Sequence, residues 1–155
     1  MKLKILLLNN NHVCLLGDFN AHTSTLKEYV DMNKDVLDNC NVTVDDISSN
    51  NADILVSCNI PLCRSSQDLH RTDRYGRRLL QLCGNCDLFF VNGRVGADQG
   101  IGRTTCNQSV LDYAIVSPNM FKVISDFNIL DFDPILRDIH SPVSLSLCTK
   151  GEFDS

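Results

Sequence analysis

No stretch of this 155-residue chain is apolar over the roughly 18 residues that a membrane span needs. The run Leu3 to Leu8 ends at Asn9-Asn10-Asn11. It is also short for the core of a signal peptide, and no small-residue cleavage site follows it. The expectation is an intracellular protein without a membrane partner. An excess of positive charge is missing as well: 14 Lys and Arg face 19 Asp and Glu, for a net charge of −5. That excludes holding nucleic acid by bulk electrostatics. It leaves room for an enzyme that touches a few phosphates, above all if a divalent cation offsets its carboxylates. The eight cysteines lack a second well-spaced pair to join Cys83-Gly84-Asn85-Cys86, and Cys58 and Cys63 merely flank Pro61. Neither a zinc ribbon nor a thioredoxin-like redox motif is legible, so free, mostly buried thiols in a reducing compartment are expected. Internal repeats, heptads and low-complexity tracts are absent from the sequence.

The 43% hydrophobic and 21% charged content is that of an ordinary globular domain with a sizeable core. Strands are expected over Lys4–Leu8 and Val13–Asp18. A polar connection follows from Thr23 to Asn51, with a helical turn at Leu26–Val30. The best helix is Asp73–Cys83, with Leu79, Leu80, Leu82 and Cys83 as its apolar stripe and Arg74, Arg77, Arg78 and Gln81 outside. Gly84-Asn85 ends it. Asp87–Val91 reads as a buried strand that leads to a turn at Asn92-Gly93 and a glycine-rich loop from Gly93 to Gly102. Short strands at Arg103–Cys106 and Ser109–Val116 flank a turn at Asn107-Gln108. The alternation in the second places Leu111, Tyr113 and Ile115 on one face and Val110, Asp112, Ala114 and Val116 on the other. A helical turn at Ser117-Pro118-Asn119, a strand within Phe121–Leu130 and a last strand at Ser141–Leu147 complete an α/β or α+β sandwich.

Three segments carry chemistry. Gly17-Asp18-Phe19-Asn20 ends an apolar strand, so a carboxylate and a carboxamide are expected on one face and Phe19 on the other. Asp112 lies mid-strand on an apolar face, where a carboxylate is costly unless paired. Its partner is either structural or a histidine whose tautomer it fixes. His140, in Asp138-Ile139-His140 at the head of the last strand, is the candidate for that histidine.

Gly17-Asp18-Phe19-Asn20, Ser109-Val110-Leu111-Asp112-Tyr113 and Asp138-Ile139-His140-Ser141-Pro142-Val143 resemble three ordered motifs of the endonuclease/exonuclease/phosphatase superfamily, which includes apurinic-site endonucleases and DNase I. More narrowly, Gly-Asp-Phe-Asn-Ala-His, the helix from Asp73 to Cys83 and Val91-Asn92-Gly93-Arg94 resemble the endonuclease domains of non-LTR (LINE-type) retrotransposons. The resemblance runs from about residue 12 to 147. It implies a DNase I-like four-layer α/β sandwich, a partial domain over residues 1–150 with a tail at 151–155, and Mg2+- or Mn2+-dependent nicking of DNA. By resemblance, Asp18 positions or deprotonates the attacking water, Asn20 holds the scissile phosphate, His140 stabilises the transition state and Asp112 orients His140. Ser109 and Thr104 support the phosphate or the motif backbone, and Asp18 and Asp138 hold the metal. It also implies DNA as partner, a reverse transcriptase domain in the parent element and a nuclear site of action.

Two departures qualify what is implied. In most of the family the Asp and His of the last motif are adjacent, whereas Ile139 intervenes here. The family's N-terminal half, with a metal-binding Glu, an Asn and a catalytic Tyr or His, precedes Gly-Asp-Phe-Asn. This chain reads as the C-terminal part only, expected to hydrolyse DNA poorly or not at all by itself. The alternatives are a non-catalytic remnant or binding module with an exposed apolar sheet face, and a phosphatase for small phosphoesters. Arg64, Arg71, Arg74, Arg77 and Arg78 read as a solvated face or DNA-backbone contacts. His22 and Arg94 read as surface residues or substrate contacts.

Overall fold

In a computed structural model, the structure describes residues 4–9, 12–28, 53–136 and 139–148. Among them, six strands and two helices follow one another: β1 (Lys4–Asn9), β2 (His12–Asp18), α1 (Asp53–Ser57), α2 (Arg74–Asn85), β3 (Phe89–Phe90), β4 (Asp112–Val116), β5 (Ile124–Ile129) and β6 (Val143–Leu147). Short 3-10 turns at Gly96–Asp98, Pro118–Lys122 and Pro134–Leu136 join them. Among the described residues every strand pairing is antiparallel, an α+β arrangement. One sheet has the order β1-β2-β4-β3, and β5 and β6 form a second. The expected strand at Arg103–Cys106 is instead an isolated bridge from Cys106 to Ser109 and His140. No helix among the described residues is long and apolar enough to cross a membrane.

β4 is central and buried along its whole length, so both of its faces carry core residues. On one face Ala114 and Val116 join Cys14 of β2 and Phe89 of β3. This face packs on Phe127 and Ile129 of β5, on Leu55 of α1 and on Met120 and Phe121. On the other, Tyr113 and Ile115 join Phe90 and meet Leu79, Leu80 and Cys83 of α2. Each fully buried side chain of this size contributes about 1.5–3 kcal/mol. Two expectations change here. Leu82 lies on the solvent side of α2, 49% exposed. Val110 packs with Tyr113 and Ile115, because the chain before Asp112 leaves the strand path and period two no longer applies.

α2 starts where its sequence places it. Asp73 is the N-cap and accepts from the Gly76 amide at 2.6 Å. It also accepts from the His22 amide at 3.3 Å, and its own amide donates to the His22 carbonyl. A Cβ at Gly76 would lie 1.8 Å from that carbonyl oxygen. Glycine is required at this approach of helix to loop.

The largest departure from the sequence reading is Arg94, which is fully buried rather than on the surface. Its guanidinium pairs with Glu28 and donates to the carbonyls of Pro61, Leu62 and Phe90. Arg64 is buried too, and stacks 4.3 Å above the Phe90 ring. It donates to the Leu26 carbonyl and to Thr23 Oγ1. Glu28 also accepts from the Phe90 amide, so one carboxylate joins the 23–28 segment to β3 and to the 61–64 loop. Of the Thr23–Asn51 connection, the described part is therefore anchored in the interior at Thr23 and Glu28, where a surface run was expected. Leu26, Lys27 and Glu28 form no helical turn, and the rest of the connection, including Tyr29 and Val30, lies outside the described residues. Burial alone would raise the Glu28 carboxyl, but the charges of Arg94 and Arg64 and the hydrogen bonds hold it below its ordinary value.

A carboxyl lowered by folding adds stability that is complete above its unfolded pKa and disappears as pH falls through the folded value. Urea denaturation across acidic pH is therefore expected to lose stability below the ordinary glutamate range. Removing one partner from this buried pair, as in Arg94→Met, is expected to cost about 3–5 kcal/mol at neutral pH. A cost below 1 kcal/mol would contradict the assignment. Gly76→Ala is expected to cost about 1–3 kcal/mol by the same measurement.

Candidate active site

Asp18 and Asp112 are direct cross-strand partners at the ends of β2 and β4. Each extends the face that carries Cys14 and Leu16 on one strand and Ala114 and Val116 on the other. The two carboxylates thus close the end of the core between the two sheets. His140 reaches them from the segment that enters β6. Its Nδ1 lies 2.6 Å from Asp112 Oδ2, and its Nε2 lies 3.9 Å from Asp18 Oδ2. Asp112 is fully buried, His140 and Asp18 partly so. The hydrogen-bond network assigns the proton on Nδ1, which leaves Nε2 facing Asp18.

Much of the surrounding chain fixes this triad. Thr105 Oγ1 accepts from the amides of Leu111 and Asp112 at 3.0 and 3.1 Å. The Thr105 carbonyl accepts from Ser141, so one residue holds the approaches to both Asp112 and His140. Asn92 continues the ladder where β3 stops: its side-chain amide donates to the Asp112 carbonyl and its oxygen accepts from Ala114. The Tyr113 hydroxyl lies 2.6 and 2.8 Å from the carbonyls of Val110 and Ala21, pinning the loop after Asn20. Thr105 and Asn92 were missed by the sequence reading. A threonine four residues before Ser109-Val110-Leu111-Asp112 and an Asn-Gly after an apolar run give only turn signals.

Asn20 is not on a strand face with Asp18. β2 ends at Asp18, and Asn20 takes a left-handed conformation with φ 48°, exposed at the rim. Its amide donates to Asp18 Oδ1 at 2.8 Å, which leaves Oδ2 for the side of His140. Phe19 turns the opposite way, against Tyr113, as expected. Ser109 lies 3.2 Å from a His70 ring nitrogen and exchanges backbone hydrogen bonds with Cys106. Thr104 lines a cavity of about 330 Å³ with Arg103, Phe132, Ile139 and Ser141. Asp138 lies outside the described residues.

Asp112 Oδ1 is buried without a hydrogen-bond partner among the described residues. A carboxylate oxygen in that state costs about 1–3 kcal/mol unless something else engages it. Ligand atoms of Asp18, Asp112 and His140 all lie within 4.8 Å of one another. Two carboxylates, one with an idle buried oxygen, suit a hard divalent cation.

His22 is not an isolated surface residue either. With His70 it flanks Asp68, whose side chain is completely buried. Burial alone would raise the Asp68 carboxyl, but hydrogen bonds from His22 and His70 and from the amides of His70 and Val110 hold it below its ordinary value. The seven cysteines described are free thiols: Cys14, Cys83 and Cys106 are buried, Cys86 and Cys148 exposed, and Cys58 and Cys63 lie between.

Comparison with protein-family models, with curated proteins and with solved structures found no match to this chain.

Thr105→Val keeps the shape of the side chain and removes the acceptor of two amides. The expected loss is about 1–3 kcal/mol in chemical denaturation, with faster hydrogen exchange at Leu111 and Asp112. Unchanged exchange at both amides would contradict the positioning role of Thr105.

Proposed function

We propose that Asp18, Asp112 and His140 form the core of a metal-dependent phosphodiesterase site that acts on DNA, as in the superfamily the three motifs resemble. The observation that carries the reading is His140, set between a buried carboxylate on its Nδ1 and a more accessible one on the side of Nε2. In this reading the fold is the DNase I-like sandwich, of which the described residues supply α2, the four-stranded sheet and β5–β6.

The distances suit proton transfer at one oxygen beside a phosphate. At 3.9 Å, Nε2 and Asp18 Oδ2 are too far apart for a direct hydrogen bond. The gap admits an oxygen that each of them contacts. Asp18 orients an attacking water whose proton passes to Nε2 of His140, and the imidazolium so formed, held by Asp112 on Nδ1, donates to an oxygen of the phosphate. Asn20, at the exposed rim, offers its carboxamide to a non-bridging oxygen. Mg2+ or Mn2+ held by Asp18 and by the idle oxygen of Asp112 would neutralise charge on the phosphate and lower the pKa of bound water. The alternative of a binding module rested on an exposed apolar sheet face. α2 covers one side of β4 and β5–β6 the other, so no observation favours it.

The test is nicking of supercoiled plasmid with Mg2+ at protein excess, since slow turnover is expected. Asp18→Ala and His140→Ala are each expected to lower the rate by about 10²-fold or more. Nicking that ignores either substitution, or no Mg2+-dependent nicking at all, would contradict the reading. Hydrolysis of small phosphomonoesters in place of DNA would favour the phosphatase.

A further inference from the structure

The His22–Asp68–His70 group lies outside the proposed catalytic core, and hydrolysis as described above does not use it. Its geometry is specific. His22 Nδ1 is 2.9 Å from Asp68 Oδ2, and His70 Nδ1 is 3.1 Å from Asp68 Oδ1. The same His70 nitrogen is 3.2 Å from Ser109 Oγ. The rings lie 4.5 Å apart, centroid to centroid. Both imidazoles therefore turn the same kind of nitrogen toward one carboxylate, with a hydroxyl beside them, and one ligand atom from each of the three residues lies within 4.8 Å of the others.

We propose that His22, Asp68 and His70 bind a transition-metal ion of the Zn2+ class, separate from any Mg2+ used in hydrolysis. Two imidazoles and a carboxylate suit Zn2+, whereas Mg2+ prefers oxygen and retained water. Zinc bonds of about 2.0–2.2 Å at tetrahedral angles set ligand atoms about 3.3 Å apart, close to the spacings here. The carboxylate is already oriented: Asp68 Oδ1 accepts from the His70 amide and Oδ2 from the Val110 amide. Such outer hydrogen bonds are what fix a ligating carboxylate. Access comes from one side, since His70 is half exposed while Asp68 is enclosed. On binding, the ring protons leave Nδ1 for Nε2 and Nδ1 takes the metal. Three protein ligands leave a fourth position for Ser109 or water.

Titration of the full chain with Co2+ under reducing conditions, followed by visible absorption, tests this. The expected result is a saturable tetrahedral spectrum without a thiolate-to-cobalt band, displaced by Zn2+. His22→Gln and His70→Gln are each expected to weaken binding about 10–100-fold. His70 is exposed enough for its variant to keep the fold, checked by circular dichroism. The signal is expected to persist in His140→Gln, so this proposal and the phosphodiesterase reading fail separately. A thiolate band, affinity unchanged in both histidine variants, or no saturable binding would overturn it.

Discussion

The pairing of β2 with β4 is the constraint on which the site depends. Its register sets Leu16 against Ala114 and Asp18 against Asp112. Like charges directly opposite on adjacent strands oppose pairing. Here the apolar partners behind them hold the register, and His140 stands between the two carboxylates. A one-residue slip would carry Asp18 to the α2 side and Phe19 into the gap between the sheets. The chemistry is thus specified by packing several residues away. The same face that buries Cys14, Ala114 and Val116 ends in the two acids.

A second device keeps the layers in place, and it is polar. Arg94 and Glu28 are enclosed, and Arg94 satisfies its donors on three carbonyls as well as on the carboxylate. Charges taken out of water are tolerable only when their geometry is this complete. The pair ties β3 to loops that have no sheet partner, and β3 in turn feeds Asn92, which pins the backbone of Asp112. The buried arginine and the candidate site are therefore two ends of one hydrogen-bonded path.

The sequence made the elements legible where one periodicity acts alone. The start of α2 at Asp73, its apolar stripe apart from Leu82, the apolar run of β2 and the alternation within Asp112–Val116 all reappear. Asp112 and His140 were legible as partners because a carboxylate on an apolar strand face requires one. Asn20 was misplaced because the strand stops at Asp18 and a left-handed residue follows. Arg64 and Arg94 were misread because long cations are usually solvated. Only contacts distant in sequence, to Glu28 and to the Pro61 and Leu62 carbonyls, make their burial possible. Val110 broke the alternation because Thr105 diverts the chain. None of these has a local signal.

The most direct test is the tautomer of His140, read by long-range proton–nitrogen correlation of its ring in the full chain and in Asp112→Asn. The account predicts a neutral ring protonated at Nδ1 in the native chain, and a shift of the proton to Nε2 when the asparagine amide faces Nδ1. A ring protonated at Nε2 in the native chain, or one indifferent to Asp112→Asn, would contradict the triad on which the functional reading rests.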